Sequence, residues 1–135
     1  MGPLNEYLVD TVAFVRYLED RLPARADRVF VEAESGTGHL LLPQIALGEF
    51  LYLALRGRLR SKPPHTDVND VLQNLAASDA FSVTAMPWSA WELFPQLKIP
   101  ELHDRMIAAE ALARKVPIVS NDEAFRGMES LRVIW

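Results

Sequence analysis

The sequence predicts an α/β fold, with a mostly parallel central sheet covered by helices on both faces. Two observations carry this. Short apolar, β-prone runs alternate along the chain with stretches of helical periodicity. At two places, after Tyr7-Leu8-Val9 and after Ile118-Val119-Ser120-Asn121, an apolar run ends in an aspartate that leads into the next segment. A chain of 135 residues, half hydrophobic and 24% charged, has the size and composition of one ordered domain, here residues 1–135.

Tyr7-Leu8-Val9 is the first strand, ending at Asp10; Phe14, Val15, Leu18 and Leu22 follow at helical spacing before Pro23 stops them. Ala24 to Ser35 places Ala26, Val29, Phe30 and Ala33 on one helical stripe closed by Gly36, although Val29-Phe30-Val31 also suits a strand. His39 to Leu42 is a buried strand, and Pro43 opens a helix that runs through Leu55. Asp67 to Ala80 is helical after a cap at Thr66 or Asp67, and it feeds a strand over Phe81 to Ala85. A short aromatic helix from Pro87 to Phe94, a longer helix from His103 to Lys115, a strand from Pro117 to Ser120 and an edge strand from Leu131 to Trp135 complete the alternation.

Composition removes several function classes. With no cysteine, disulfides, thiolate metal sites and cysteine nucleophiles are excluded, so any metal must be held by oxygen or imidazole. The most apolar run, Leu40 to Leu55, is interrupted by Pro43, Gln44, Gly48 and Glu49 and falls short of the roughly 20 residues of a membrane span. No leader pattern opens the sequence, so a cytoplasmic location without membrane attachment is expected. A net charge of −4 argues against indiscriminate polyanion binding and requires the acids to be explained by their positions.

Four acids stand in positions of interest. Asp10 and Asp122 follow apolar strands of one parallel sheet, and such sheets present functional residues at their carboxyl edge. Taken singly, each is better explained as a helix cap than as a site residue. Glu49 is the only charged residue between Leu40 and Leu55, and Ile45, Ala46, Tyr52 and Leu53 around it put its carboxylate on or beside a buried stripe. Asp104 shares a helical face with Ile107, Ala108 and Ala111, which points it inward; a first-turn aspartate is also favoured by the helix dipole alone.

Convergence of these four would be repulsive without a cation, because two like charges about 4 Å apart cost about 4 kcal/mol at an effective dielectric of 20. Oxygen ligands with open water positions select Mg²⁺ or Mn²⁺, and such ions promote phosphodiester hydrolysis without a covalent protein nucleophile. Thr11, Ser120 and Asn121 flank the acids and are placed to fix a carboxylate or water, or simply to form turns.

The segments Tyr7-Leu8-Val9-Asp10-Thr11, the Glu49 helix, Asp104-Arg105-Met106-Ile107-Ala108-Ala109 and Ser120-Asn121-Asp122-Glu123-Ala124-Phe125 together resemble the PIN-domain family, in particular VapC-type toxins of toxin–antitoxin pairs. The resemblance implies a three-layer α/β/α domain with Mg²⁺- or Mn²⁺-dependent endoribonuclease activity. It places Asp10, Glu49, Asp104 and Asp122 at the family's acidic positions. It also implies a homodimer and a small antitoxin partner that blocks the site.

Secondary features are weighed on the same terms. Arg56, Arg58, Arg60 and Lys62 lie in a basic loop suited to an RNA backbone or merely to solvent, and Arg105 and Arg126 are near enough to site acids to contact a phosphate or form structural ion pairs. Trp88, Trp91 and Phe94 share a helical face that suits core packing, a dimer seam or base stacking, with core or dimer contact the better expectation. His39, His65 and His103 lack metal-ligand spacing, and His103 is expected to be dispensable. Two other function classes compete: a catalytically silent PIN-fold protein acting through its partner, and a phosphatase or phospho-acceptor domain. The latter fits poorly, because Val12 stands where a dehalogenase-type phosphatase wants its second Asp.

Overall fold

The computed structural model describes residues 4–59 and 67–135. Along these the elements run β1 (Asn5–Val9), α1 (Thr11–Leu18), α2 (Ala24–Glu34), β2 (Gly38–Pro43), α3 (Gln44–Leu55), α4 (Val68–Ala77), β3 (Phe81–Thr84), α5 (Trp88–Leu93), α6 (Leu102–Arg114), β4 (Ile118–Val119) and β5 (Val133–Ile134). Single 3-10 turns occupy Phe94–Gln96 and Glu123–Phe125. Among the described residues no helix is long and apolar enough to cross a membrane.

The five strands form one sheet in the order β3-β2-β1-β4-β5, and every described neighbour pair is parallel. A parallel sheet needs a crossover between each strand and the next, and the flanking helices supply them in the three-layer α/β/α arrangement. Being covered, the inner strands are apolar toward their carboxyl ends: Leu8, Val9, Leu40, Leu42, Ile118 and Val119 are fully buried. An aromatic cluster supports one end of the core, with Phe14 edge-on to Phe50 at 5.4 Å and to Phe81 at 5.9 Å, and Tyr17 stacked on Phe30 at 4.6 Å.

Local chemistry sets the helix boundaries. Asp67 caps α4 by accepting the amide N–H groups of Asn69 and Asp70 at 3.0 and 3.3 Å. Replacing it with Ala is expected to cost about 1 kcal/mol, read as a lower unfolding midpoint in urea. Lys115, at φ 58°, closes α6 in the left-handed conformation.

Several boundaries differ from the sequence expectation. Val29-Phe30-Val31 belongs to α2, because the stripe Ala26, Val29, Phe30 and Ala33 buries as a helix face. Pro43 ends β2 and caps α3, so Gln44 opens the helix. α6 begins one residue before His103, because the Glu101 carboxylate accepts the Asp104 amide at 2.6 Å and sets the start. The core role expected for the aromatic helix is overturned for Trp88, which is 76% exposed. In α5 it is Ala90 that is fully buried, a small residue that lets the helix lie close to its neighbours. Arg60, Lys62 and His65 lie outside the described residues.

Candidate functional site

The sheet order reverses at β1: the chain moves from β1 to β2 on one side and returns to β4 on the other. Such a switch point opens a crevice beyond the carboxyl ends of the two strands. Register decides what meets there. Val9 pairs with Val119, so the next residues, Asp10 and Ser120, emerge side by side. The Ser120 hydroxyl donates to Asp10 Oδ2, and Asp10 Oδ1 accepts the Ala13 amide at 2.8 Å. Ser120 Oγ in turn accepts the Asp122 amide at 3.0 Å, and Asp122 Oδ1 accepts the Ala124 amide at 2.9 Å. Both aspartates therefore cap the turns that follow them and also share the crevice.

Two helices bring further acids. Glu49 on α3 is half-buried, neither in the core nor free in solvent, and its Oε1 accepts the Thr11 hydroxyl at 2.8 Å. His103 Nδ1 lies 3.4 Å from Glu49 Oε2 and 3.1 Å from Glu101 Oε1. Asp104, in the first turn of α6, feels the charges of Asp122, Glu101 and Asp10. The structure thus brings Asp10, Glu49, Asp104 and Asp122 into electrostatic contact across four separate elements.

The protonation equilibria record that contact. Burial pushes the Asp10 carboxyl up to about 6, against the opposing hydrogen bonds from Ser120 and Ala13 and with the help of the negative charges of Asp122 and Glu49. Asp10 is only 5% exposed. Desolvation raises Asp104 to about 7, assisted by the charges of Asp122 and Glu101. Glu101 moves the other way. Its slight burial, which raises it, is outweighed by the amides of Asp104 and His103 and by the imidazole, which hold it below the ordinary glutamate value. Among the described residues no Lys or Arg pairs with any of the four acids, and only Glu49 has a basic neighbour, the imidazole of His103.

The remaining expected residues are placed differently. Thr11 and Ser120 hold carboxylates, whereas Asn121 is exposed and makes no side-chain hydrogen bond among the described residues. Arg105 is committed to structure, its Nε donating to the Ile99 carbonyl at 2.6 Å and its guanidinium lying over Phe94. Arg56 donates to the Tyr52 hydroxyl at 2.8 Å and lies over that ring. Arg58 and Arg126 are exposed. Two neighbours of the acids stand outside the expected site: His103, the one histidine that merits a test for catalysis but is expected to be dispensable, and Glu101, which the sequence expectation does not include. Glu101 carried a readable signal, since an acid three residues ahead of Asp104 at a helix start is a capping arrangement.

Among the described residues no three Asp, Glu or His side chains form a ready-made ligand set. The donors that converge are carboxylate oxygens, and two of them, Asp10 and Asp104, hold protons well above the ordinary aspartate range. That chemistry fits a hard divalent cation whose shell is completed by water. It does not fit a soft or thiophilic ion.

Comparisons with known proteins agree on the architecture. The model of the PIN domain family matches residues 7–131. A search of curated protein sequences finds no match. Among solved structures, the chain is similar to one in VapBC2 from Rickettsia felis bound to a DNA fragment from their promoter, at TM-score 0.71 and 16% identity over 95% of this chain and 96% of that one. It is also similar to a chain of DNA-bound VapBC from Salmonella typhimurium, at TM-score 0.64 and 18% identity over 96% and 97%. A third similarity is to FitAcB from Neisseria gonorrhoeae, at TM-score 0.63 and 18% identity over 94% and 95%.

Proposed function

This chain belongs to the PIN domain family, and from that premise we propose that it is a divalent-metal-dependent endoribonuclease acting as the toxin of a toxin–antitoxin pair. The observation that carries the reading is the meeting of Asp10, Asp104 and Asp122 with Glu49 at the switch point, with no Lys or Arg among the described residues to neutralise them. Asp10, Asp104 and Asp122 would hold Mg²⁺ or Mn²⁺, with Glu49 contributing directly or through water. When bound, the cation supplies acidity for the attacking water and positive charge to offset the phosphodiester in its transition state.

The chain's own residues do the positioning. Ser120 fixes Asp10 and, through the Asp122 amide, the turn that carries the second strand-end acid. Thr11 orients Glu49 from the start of α1, and His103 bridges Glu49 to the helix cap Glu101. A carboxylate oriented in this way presents a defined lone pair without paying for rotamer freedom at the moment of binding. Thr11→Val keeps the shape and removes that hydrogen bond. It is expected to lower cleavage about tenfold to a hundredfold with little change in melting temperature, as read in paired rate and unfolding measurements.

A small antitoxin and a second copy of this chain are the partners in this reading, and the similar chains from VapBC complexes support the former. A cytoplasmic RNA is the substrate. The test is sequencing of RNA 5′ ends after incubation with purified, partner-free protein. The expected result is discrete cuts by the wild type in Mn²⁺ that vanish in EDTA and with Asp10→Asn. Cleavage that survives both treatments overturns the reading, and no cleavage of any RNA in Mn²⁺ leaves a silent PIN-fold protein that works through its partner.

A further inference from the structure

Beside the acid cluster lies a second polar site that the proposed chemistry does not use. Glu110 of α6 is only 2% exposed. Its Oε2 accepts the Thr84 hydroxyl and the Arg114 Nε, the latter at 2.9 Å, while Arg114 Nη2 donates to the Ala85 carbonyl at 3.0 Å. Among the described residues its other oxygen, Oε1, has no hydrogen-bond partner. No wholly buried side-chain oxygen is left unsatisfied among the described residues, so Oε1 holds part of the 3% exposure that the Glu110 side chain keeps. Glu110 is one wall of a cavity of about 260 Å³ that also includes Gln44, Thr84, Met86, Trp91 and Met106.

A buried acid is costly, and an apolar pair of similar volume would serve packing as well. The free oxygen therefore calls for a ligand that donates hydrogen bonds. Trp91, 42% exposed, offers an indole face at the same cavity, and the Gln44 amide offers both a donor and an acceptor. An unstacked nucleobase is read by this combination of aromatic stacking and edge hydrogen bonds. Guanine presents the donor N1–H, flanked by N2–H, to Oε1, and its adjacent O6 accepts from an amide N–H.

Position ties the cavity to the acids. α3 carries Gln44 into the cavity and Glu49 into the acid cluster, and α6 carries Glu110 and Asp104 likewise. Along α6 the two acids are six residues apart, roughly 9 Å of helix rise. Thr84 is the last residue of β3, so the cavity opens at the same carboxyl edge of the sheet as Asp10. We propose that this cavity receives a guanine base of the RNA, a neighbour of the scissile phosphate, with Glu110 and Gln44 reading its edge and Trp91 stacking on its face. The proposal rests on the nuclease reading for its substrate, but it is tested by binding alone.

The experiment is calorimetric titration of the full chain with GMP, AMP, CMP and UMP, followed by the same titrations of Trp91→Ala, Gln44→Ala and Glu110→Gln. GMP is expected to bind at least tenfold tighter than the other three, and Trp91→Ala and Gln44→Ala to weaken it at least tenfold. Those two side chains are exposed, so their loss should leave folding intact even if Glu110→Gln does not fold. Equal affinity for the four nucleotides, or GMP binding unmoved by the folded variants, overturns the proposal. So does an arginine-bearing peptide that binds in a Glu110- or Trp91-dependent way where GMP does not, since it assigns the cavity to a protein partner. GMP binding without RNA cleavage would sink the nuclease reading alone, and cleavage without GMP binding would sink only the guanine site.

Discussion

An Asp10→Asn chain is expected to melt higher than the wild type in EDTA at pH 8 while cutting RNA about a thousandfold more slowly, a barrier increase of about 4 kcal/mol. Asn serves as an N-cap as well as Asp does, so its carbonyl can keep the Ala13 amide while its NH₂ donates to Ser120 Oγ. What disappears is a buried charge. The carboxyl is displaced from 3.8 to about 6, and at 1.36 kcal/mol per pKa unit the ionised form costs on the order of 3 kcal/mol of folding free energy at alkaline pH. Stability and activity should therefore move in opposite directions, which a merely structural Asp10 would not produce. A variant that unfolds more readily than wild type, or that still cuts at full rate, contradicts this account.

Metal-free wild-type protein should lose stability as pH rises from about 4 to about 7. Unfolded Asp10 and Asp104 ionise near 3.8, whereas in the folded state they keep their protons up to about 6 and about 7. Between those limits the folded state binds more protons than the unfolded state, so raising the pH favours unfolding. Asp10 contributes on the order of 3 kcal/mol to that fall; Asp104, only partly buried, adds in the same direction with its share weakened by solvent. Glu101, held below 4.5, contributes stability that is lost only at lower pH and so does not cancel the effect.

A divalent cation should reverse the loss, because it binds the ionised carboxylates of the folded chain. At a concentration a hundred times its dissociation constant the gain is about 2.7 kcal/mol. Thermal melts at pH 5 and pH 8, with EDTA, Mg²⁺ or Mn²⁺, measure both halves. A flat profile without metal would mean that neither burial nor the neighbouring acids keep these carboxyls protonated.

The elements that were legible in the sequence are those with strong local signals. β1 and β4 end where their apolar runs meet Asp10 and Ser120, and α4 begins at its aspartate cap. The parallel sheet follows from the alternation of strands and helices, and with it the shared carboxyl edge. Register was not legible. Nothing local in Val9 or Val119 says that they pair, and the Ser120 hydroxyl meets Asp10 only because they do. Glu49 was read as lying on or beside a buried stripe; it stands half-buried, its hydrogen bond coming from Thr11, 38 residues away. Trp88 misled because a large aromatic on a helix is a strong burial signal, and only the fully buried Ala90 shows which face of that short helix turns inward. Glu110 drew no notice, since its partner Thr84 sits 26 residues earlier on another element.

The bond between Ser120 and Asp10 joins residues 110 positions apart. Contacts of such long range form late, after the loops they close have lost their entropy. A chain emerging in order from a ribosome holds Asp10, Glu49 and Asp104 well before Ser120 and Asp122 exist, and until then β1 has no partner on its β4 side. The acids of an unfinished chain are thus ordinary solvated carboxylates, and the site comes into being only after Ser120 and Asp122 have been made. Under the proposed toxin reading, that delay gives an antitoxin produced alongside the chain time to be present first.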